Sequence, residues 1–326
     1  MPTSFAGSVR LQEFISRRLL MLTGKGGTGK TRVSAALGLA SSGTGRRVLV
    51  AEVDAQRSAL AEAFGVDLEY TPKEVAPNVW ACNITFQPAM TDWLDQTIRA
   101  SKIVSMILNN PMVQVFLDVT PGAREIVVLS RVVSYLDEFD QVIVDLPASG
   151  HAANLLKIPD TAHRLMRTGP IHQRAGEILS VLRGPETVLG IVALPEEMVV
   201  NETVELYSLL GDILPDLEVP LVFLNRCAAP AMTDDEHKLL ARLSSANELS
   251  KEAKELLLAG RWDAELERAT ADSLGRLHSE IGVSVVPFPR LGVLGGFDGG
   301  PLKVTHQMSA ALRRRTLAEA KLLEST

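Results

Sequence analysis

The chain of 326 residues contains only two cysteines, Cys82 and Cys227, and no apolar run as long as a bilayer-spanning helix. The cysteines are far apart, each in a strand-like apolar stretch. A disulfide framework is therefore excluded, and buried free thiols in a reducing compartment are expected. Basic charge is scarce too: Lys and Arg number 33 against 39 Asp and Glu, and the one basic run is Arg313-Arg314-Arg315. A net charge of −6 argues against a nucleic-acid surface. Glu13 and Arg17-Arg18 interrupt the place where a signal-peptide core would lie. The expectation is a cytoplasmic protein with no nucleic-acid partner and no stable membrane insertion. With 46% hydrophobic and 22% charged residues, the chain is able to bury a large core.

What the sequence does have is concentrated at 19–31. Leu19-Leu20-Met21-Leu22-Thr23 reads as a buried strand, and residues 32–42 carry helical spacing in an Ala/Leu-rich segment. Between them Gly24-Lys25-Gly26-Gly27-Thr28-Gly29-Lys30-Thr31 fits the G-x-x-x-x-G-K-[ST] phosphate-loop pattern. Its glycines let successive N–H groups turn inward around phosphate oxygens, and the helix that follows adds its positive N-terminal dipole. Lys30 is placed to reach the β- and γ-phosphates of a nucleotide, and the Thr31 hydroxyl to ligate Mg²⁺.

The rest of the chain alternates. Residues 47–52 form a second apolar strand, which runs into Val53-Asp54-Ala55-Gln56-Arg57-Ser58; a helix over 58–64 and a strand over 79–84 follow. From 88 to 138 the pattern is helical, with a break at Pro111. Gln141-Val142-Ile143-Val144-Asp145 is a buried strand ending in an acid, after which a helix-rich piece runs over 151–183. Strands at 187–193 and 220–225 flank a helix over 199–214, and two charged amphipathic helices occupy 233–281. A last strand at 283–287, a Gly-rich loop at 292–300 and a helix over 302–323 close the chain, while residues 1–17 read as a lead-in or a short helix. This order predicts an α/β fold with a parallel twisted sheet flanked by helices. One domain over 1–326 is expected, with a helical subdomain built from about 88–138 and 151–183.

Two strand-end carboxylates accompany the phosphate loop. Phosphoryl transfer asks for a lysine-lined cradle, Mg²⁺ held by a hydroxyl and a carboxylate, and a group that orients the attacking water. Asp145 is the candidate Mg²⁺ partner beside Thr31, and Asp54 the candidate that orients water. Both fall at the carboxyl edge of the sheet, where nucleotides bind in open α/β folds. ATP and Mg²⁺ are the cofactors that this set implies.

Lys25, a second lysine directly after the first glycine, resembles the deviant Walker A of a group of dimeric ATPases. The group includes the arsenite-pump ATPase, the tail-anchored-protein targeting factor, the septum-site and plasmid-partition ATPases and nitrogenase iron protein. The resemblance implies a dimer, with Lys25 contacting phosphates bound by the partner subunit. It narrows to the arsenite-pump/tail-anchored-targeting branch. Residues 53–65 are similar to that branch's switch I: Asp54, Ser58, Leu60 and Phe64 agree, while Ala55, Gln56 and Arg57 replace Pro, Ala and His. Residues 145–151 resemble its switch II through Asp145, Gly150 and His151, and Glu196, Glu202 and Thr203 match a P-E-x-x-x-x-x-E-T segment. Asn225 matches a strand-end asparagine that reads adenine, and Pro287-Phe288-Pro289 echoes the rim of the adenine pocket.

The resemblance implies an Mg²⁺-dependent ATPase in which Asp54, Lys25 and Lys30 carry the chemistry. Its switch loops would relay nucleotide state to a hydrophobic client or protein partner, in a homodimer or a heterodimer with a paralogue. The chain also departs from the branch. It lacks a zinc-binding C-x-x-C pair, and its two distant cysteines do not make a metalloid site. Met90, Met106, Met112 and Met166 are scattered, as core filler is, rather than gathered as a client surface. Arg57 reads as a γ-phosphate sensor or a solvated loop charge, and His151 as a nucleotide sensor or a helix cap. The altered residues 55–57 also allow a second reading, an ATP-binding dimeric scaffold with little hydrolysis of its own.

Overall fold

A computed structural model describes residues 8–98, 122–228, 232–244, 250–291 and 300–323. Its strands are β1 (Leu19–Thr23), β2 (Val48–Val53), β3 (Lys73–Ala76), β4 (Val79–Ile84), β5 (Gln141–Asp145), β6 (Thr187–Ala193), β7 (Glu218–Cys227) and β8 (Ser284–Pro289). They form one eight-stranded sheet in the order β3-β4-β2-β5-β1-β6-β7-β8. Every ladder is parallel except that of β3 with β4. The phosphate-loop strand β1 lies between β5 and β6, where the chain order reverses, which puts the loop at the switch point of the sheet.

Alternation along each strand builds two cores. Leu20 and Leu22 of β1, with Val48 and Val50 of β2, pack with Leu11 and Phe14 of α1 (Ser8–Ser16) and Val33 and Leu37 of α2 (Lys30–Ser41). Leu60 and Phe64 of α3 (Ala59–Phe64) and Met308 and Leu312 of α11 (Gly300–Leu323) complete that face. Leu19, Met21, Leu49 and Ala51 point the other way, as period-two geometry requires, into the second core. There they meet α4 (Phe86–Ile98), α5 (Ala123–Ser134), α6 (Ser149–Leu165), α7 (Pro170–Leu182), α8 (Glu197–Ile213) and α10 (Lys251–Ile281). Because both faces are covered, β1, β2, β5 and β6 are buried at every residue, and their sequences are dominated by apolar residues, with polar ones mostly at or next to the strand ends. Each fully buried leucine there contributes about 1.5–3 kcal/mol.

The edge strand β3 is a difference from the sequence reading, which left residues 65–78 without a strand. Lys73-Glu74-Val75-Ala76 is half exposed and has a single neighbour, so neither alternation nor an apolar run marks it. The helical block expected over 88–138 and 151–183 is represented by α4, α5, α6 and α7, which pack directly on the sheet. Pro111, Met106 and Met112 lie outside the described residues. A polar knot joins α4 to α5: Arg131 of α5 pairs with Asp92 of α4 at 3.6 Å and lies 4.0 Å over the Tyr135 ring, and Tyr70 Oη donates to the same Asp92 at 2.6 Å. The expected pair of helices within 233–281 appears as α9 (Asp234–Ser244) and the longer α10.

Candidate nucleotide-binding site

The loop between β1 and α2 is shaped by backbone that only glycine tolerates. Gly24 has φ +144°, and a Cβ on it would stand 2.2 Å from the Val192 carbonyl oxygen; Gly29 has φ +91°, with Asn225 Nδ2 only 2.4 Å from the equivalent position. Gly26 and Gly27 complete the curve. Within it the Lys25 carbonyl is a hub, accepting from Thr28 Oγ1 at 2.9 Å and from Lys30 Nζ at 3.2 Å. Burial depresses the Lys30 ammonium below its ordinary range, and Asp145 opposes that shift.

Thr31 opens α2 and meets the end of β5. Its Oγ1 donates to Asp145 Oδ2 at 2.5 Å, and Ser34 Oγ, one turn on, donates to Asp145 Oδ1 at 3.3 Å. Burial pushes the Asp145 carboxyl up to about 7; the Thr31 hydrogen bond and Lys30 counter this, while the charge of Glu52 adds to it. Among the described residues no three His, Cys, Asp or Glu side chains gather around a metal position. A hydroxyl and one carboxylate at the mouth of a phosphate loop are nonetheless the hard oxygen donors that suit Mg²⁺, which takes few protein ligands and completes its shell with water and phosphate.

The loop over 54–58 is held by residues the sequence reading did not single out. Glu52, buried in β2, accepts from Ser58 Oγ at 2.7 Å, Ala59 N at 3.2 Å and Leu60 N at 3.3 Å, and Ser58 Oγ accepts from Ala61 N to cap α3. Asn83 at the end of β4 holds Ala55 from the other side, donating to its carbonyl at 2.8 Å and accepting from its N–H at 3.3 Å. Between these anchors Asp54 is exposed, with φ +50°. Arg57 is 89% exposed and pairs with Glu62 at 2.7 Å. The only warning of Glu52 and Asn83 in the sequence is a polar residue interrupting an apolar strand.

The segment after β5 touches the phosphate loop through the main chain: Ser149 N, at the start of α6, donates to the Gly24 carbonyl at 3.1 Å. Gly150 and His151 follow in the exposed first turn of α6. Beside Gly29, a cavity of about 380 Å³ is lined by Lys30, Thr31, Arg226, Pro289, Leu291 and Met308 among others. Asn225 also lines it, but its amide is committed to protein: Nδ2 donates to the Thr28 carbonyl at 2.8 Å and Oδ1 accepts from Arg226 N at 2.9 Å. Pro287 pairs with Leu224 in the β7–β8 ladder and is not among the lining residues, whereas Pro289 is. The site thus brings together Gly24 to Thr31, Asp145 and Asn225, with Asp54 and Ser58 on the adjoining loop. Lys25 is tied instead to Glu202 of α8.

Similarity to known proteins adds a family to this description. A family model described as anion-transporting ATPase matches residues 17–183, just over half of the chain. ATPase BagA of Mycobacterium tuberculosis (strain H37Rv) is 29% identical over 223 residues, 64% of this chain and 65% of its own length. A Chlorobaculum tepidum protein provisionally named an arsenical pump-driving ATPase is 30% identical over 152 residues, 44% of this chain and 36% of its own. An uncharacterized Streptomyces coelicolor protein is 31% identical over 156 residues, 46% of this chain and 39% of its own. The chain therefore spans less than two thirds of the length of these curated relatives.

Proposed function

Because the chain belongs to the anion-transporting ATPase family, we propose that it is an Mg²⁺-dependent, nucleotide-switched ATPase that works as a dimer. ATP binding and hydrolysis would be coupled to a protein partner or hydrophobic client. The observation that carries this reading is the Thr31–Asp145–Ser34 cluster at the mouth of the phosphate loop. The loop amides and Lys30 bind phosphate charge, Asp54 orients the attacking water, and Lys25 reaches phosphates of the partner subunit. Mg²⁺ held by Thr31, with Asp145 behind it, would neutralise charge on the transferring phosphoryl group. Asn225 and Pro289 border the nucleotide-base side. Ser58 at the cap of α3, and Gly150 and His151 in the first turn of α6, relay nucleotide state to the helical block. No helix among the described residues is long and apolar enough to cross a membrane; a cytoplasmic location, a single domain over 1–326 and the absence of a nucleic-acid partner belong to the same proposal.

A second reading, an ATP-binding scaffold with little turnover, is favoured by switch I, where Arg57 pairs with Glu62 and Asp54 is turned to solvent. Steady-state phosphate release from ATP and Mg²⁺ by the parent and by Asp54→Asn, with nucleotide affinity measured on both, separates the two. The ATPase reading expects release to fall about 100-fold or more in the variant with affinity little changed. Tight ATP binding without release in either protein supports the scaffold, and no ATP binding sinks both.

A further inference from the structure

The two lysine ammonium groups of the phosphate loop are held by different kinds of partner. Lys30 Nζ donates to the main chain of the loop itself, at the Lys25 carbonyl. The Lys25 ammonium instead stands 2.5 Å from Glu202 Oε1, on a helix that contributes nothing else to the phosphate cradle. That helix, α8, is tied to α10 next to Glu202, where Arg276 donates to Asn201 Oδ1 at 2.9 Å, and on the other side of Glu202 Thr203 is buried. Glu202 is therefore offered to Lys25 from a braced surface.

The exposure of the pair decides what kind of contact it is. Lys25 and Glu202 are 36% and 37% exposed, so water screens them, and the contact is cheap to exchange in a way that a buried pair is not. In the dimer proposed above, a nucleotide bound by the partner subunit brings several negative phosphate oxygens to this lysine, and these compete with one carboxylate for one ammonium. We propose that Glu202 is a positioning residue that holds Lys25 away from phosphate in the nucleotide-free chain and so sets how readily ATP recruits that lysine. The proposal rests on the ATPase reading above. It adds a specific competitor to it: the γ-phosphate must displace Glu202, and ADP, with less charge, does so less well.

The test is the affinity, with Mg²⁺, of a slowly hydrolysed ATP analogue and of ADP for the parent, Glu202→Gln, Lys25→Ala and the double variant. Glu202→Gln is expected to tighten the analogue about three- to fivefold and ADP by less than about twofold, the gain shrinking as salt rises. Glu202→Asp, one methylene shorter, falls between. In the Lys25→Ala background the Glu202 substitution is expected to change nothing, since the coupling is between these two side chains. An equal gain in that background would make Glu202 a general repeller of anions and overturn the proposal; no gain, or weaker binding, in Glu202→Gln also overturns it while the ATPase reading stands. A parent that binds neither nucleotide sinks that reading and this proposal together.

Discussion

Glu52 and Asp145 are in-register neighbours on β2 and β5, both buried at the carboxyl edge of the sheet. Two carboxylates side by side in low dielectric do not both ionise freely, and the hydrogen bonds divide the burden unequally. Glu52 receives two backbone N–H groups and a hydroxyl, whereas Asp145 receives two hydroxyls. The cation that satisfies Asp145 is expected to arrive with the nucleotide, so the apo protein carries a latent acid where function needs a carboxylate.

That arrangement has a pH signature. The Asp145 carboxyl is pushed from 3.8 to about 7 by burial first, with Glu52 adding to the shift. Between those values the folded chain holds a proton that the unfolded chain has lost, so stability falls as pH rises through the window and stays lower above it. Asp145→Asn removes the titration. Denaturant unfolding without nucleotide or Mg²⁺ is expected to find the variant more stable than the parent by about 2 kcal/mol near pH 8, the gap closing towards pH 4, while Mg²⁺-dependent phosphate release collapses. A gap that stays constant with pH would mean that Asp145 does not titrate in this range.

Glu52 has the opposite balance. Glu52→Gln relieves repulsion of Asp145 but turns an amide donor toward groups that already donate, at Ser58, Ala59 and Leu60. Losing that cap is expected to cost about 1–2 kcal/mol in thermal or denaturant unfolding and to slow phosphate release by loosening Ser58 and switch I. A variant as stable as the parent would mean that repulsion matches the three hydrogen bonds.

Much of this was legible before any coordinates. Strands β1, β4, β5 and β6 fall on their expected residues, and β2 within one, because strands buried on both faces write themselves as apolar runs between turns. The phosphate loop and Asp145 were legible for a different reason: their chemistry demands particular residue types at fixed spacing. Edge strand β3 was not, since a strand with one neighbour and half its surface in water leaves no pattern. Nor were the partners of Asn225 and Lys25. These pairs join residues distant in sequence, and they exist only once β7 and α8 are brought to the phosphate loop. The family resemblance assigned Asn225 to adenine, while the folded chain commits its amide to bracing the loop.

The brace can be tested directly. A Cβ at residue 29 would lie 2.4 Å from Asn225 Nδ2, on a backbone with φ +91° that disfavours any side chain. Gly29→Ala is expected to lose about 1–3 kcal/mol of stability and to weaken nucleotide binding more than tenfold, from strain and from displacement of the Asn225 bond to Thr28. Adding Asn225→Ala removes the clash but not the strain, so binding titrations should find partial recovery at most. Full recovery would mean that the backbone angle is not limiting.

Burial makes the two thiols inert. Cys82 in β4 and Cys227 in β7 are free, buried, and pushed up to about 12 and about 11 by desolvation, so the thiolate that reacts with alkylating reagents is scarce at any physiological pH. Cys82 lies within the buried core beside β2, and Cys227 Sγ donates to the Leu224 carbonyl at 3.1 Å, so neither is turned outward. Iodoacetamide near pH 8 is expected to label neither residue in the native protein and both in denaturant, as read by intact mass. Labelling of Cys82 would require opening β4 beneath the Arg131–Tyr135 knot, and labelling of Cys227 would require parting β7 from β8. If native labelling is slow, its rate is expected to report that opening rather than thiol chemistry, and nucleotide that stabilises the sheet edge is expected to slow it further. Rapid labelling insensitive to denaturant would instead mean that a thiol is already at the surface.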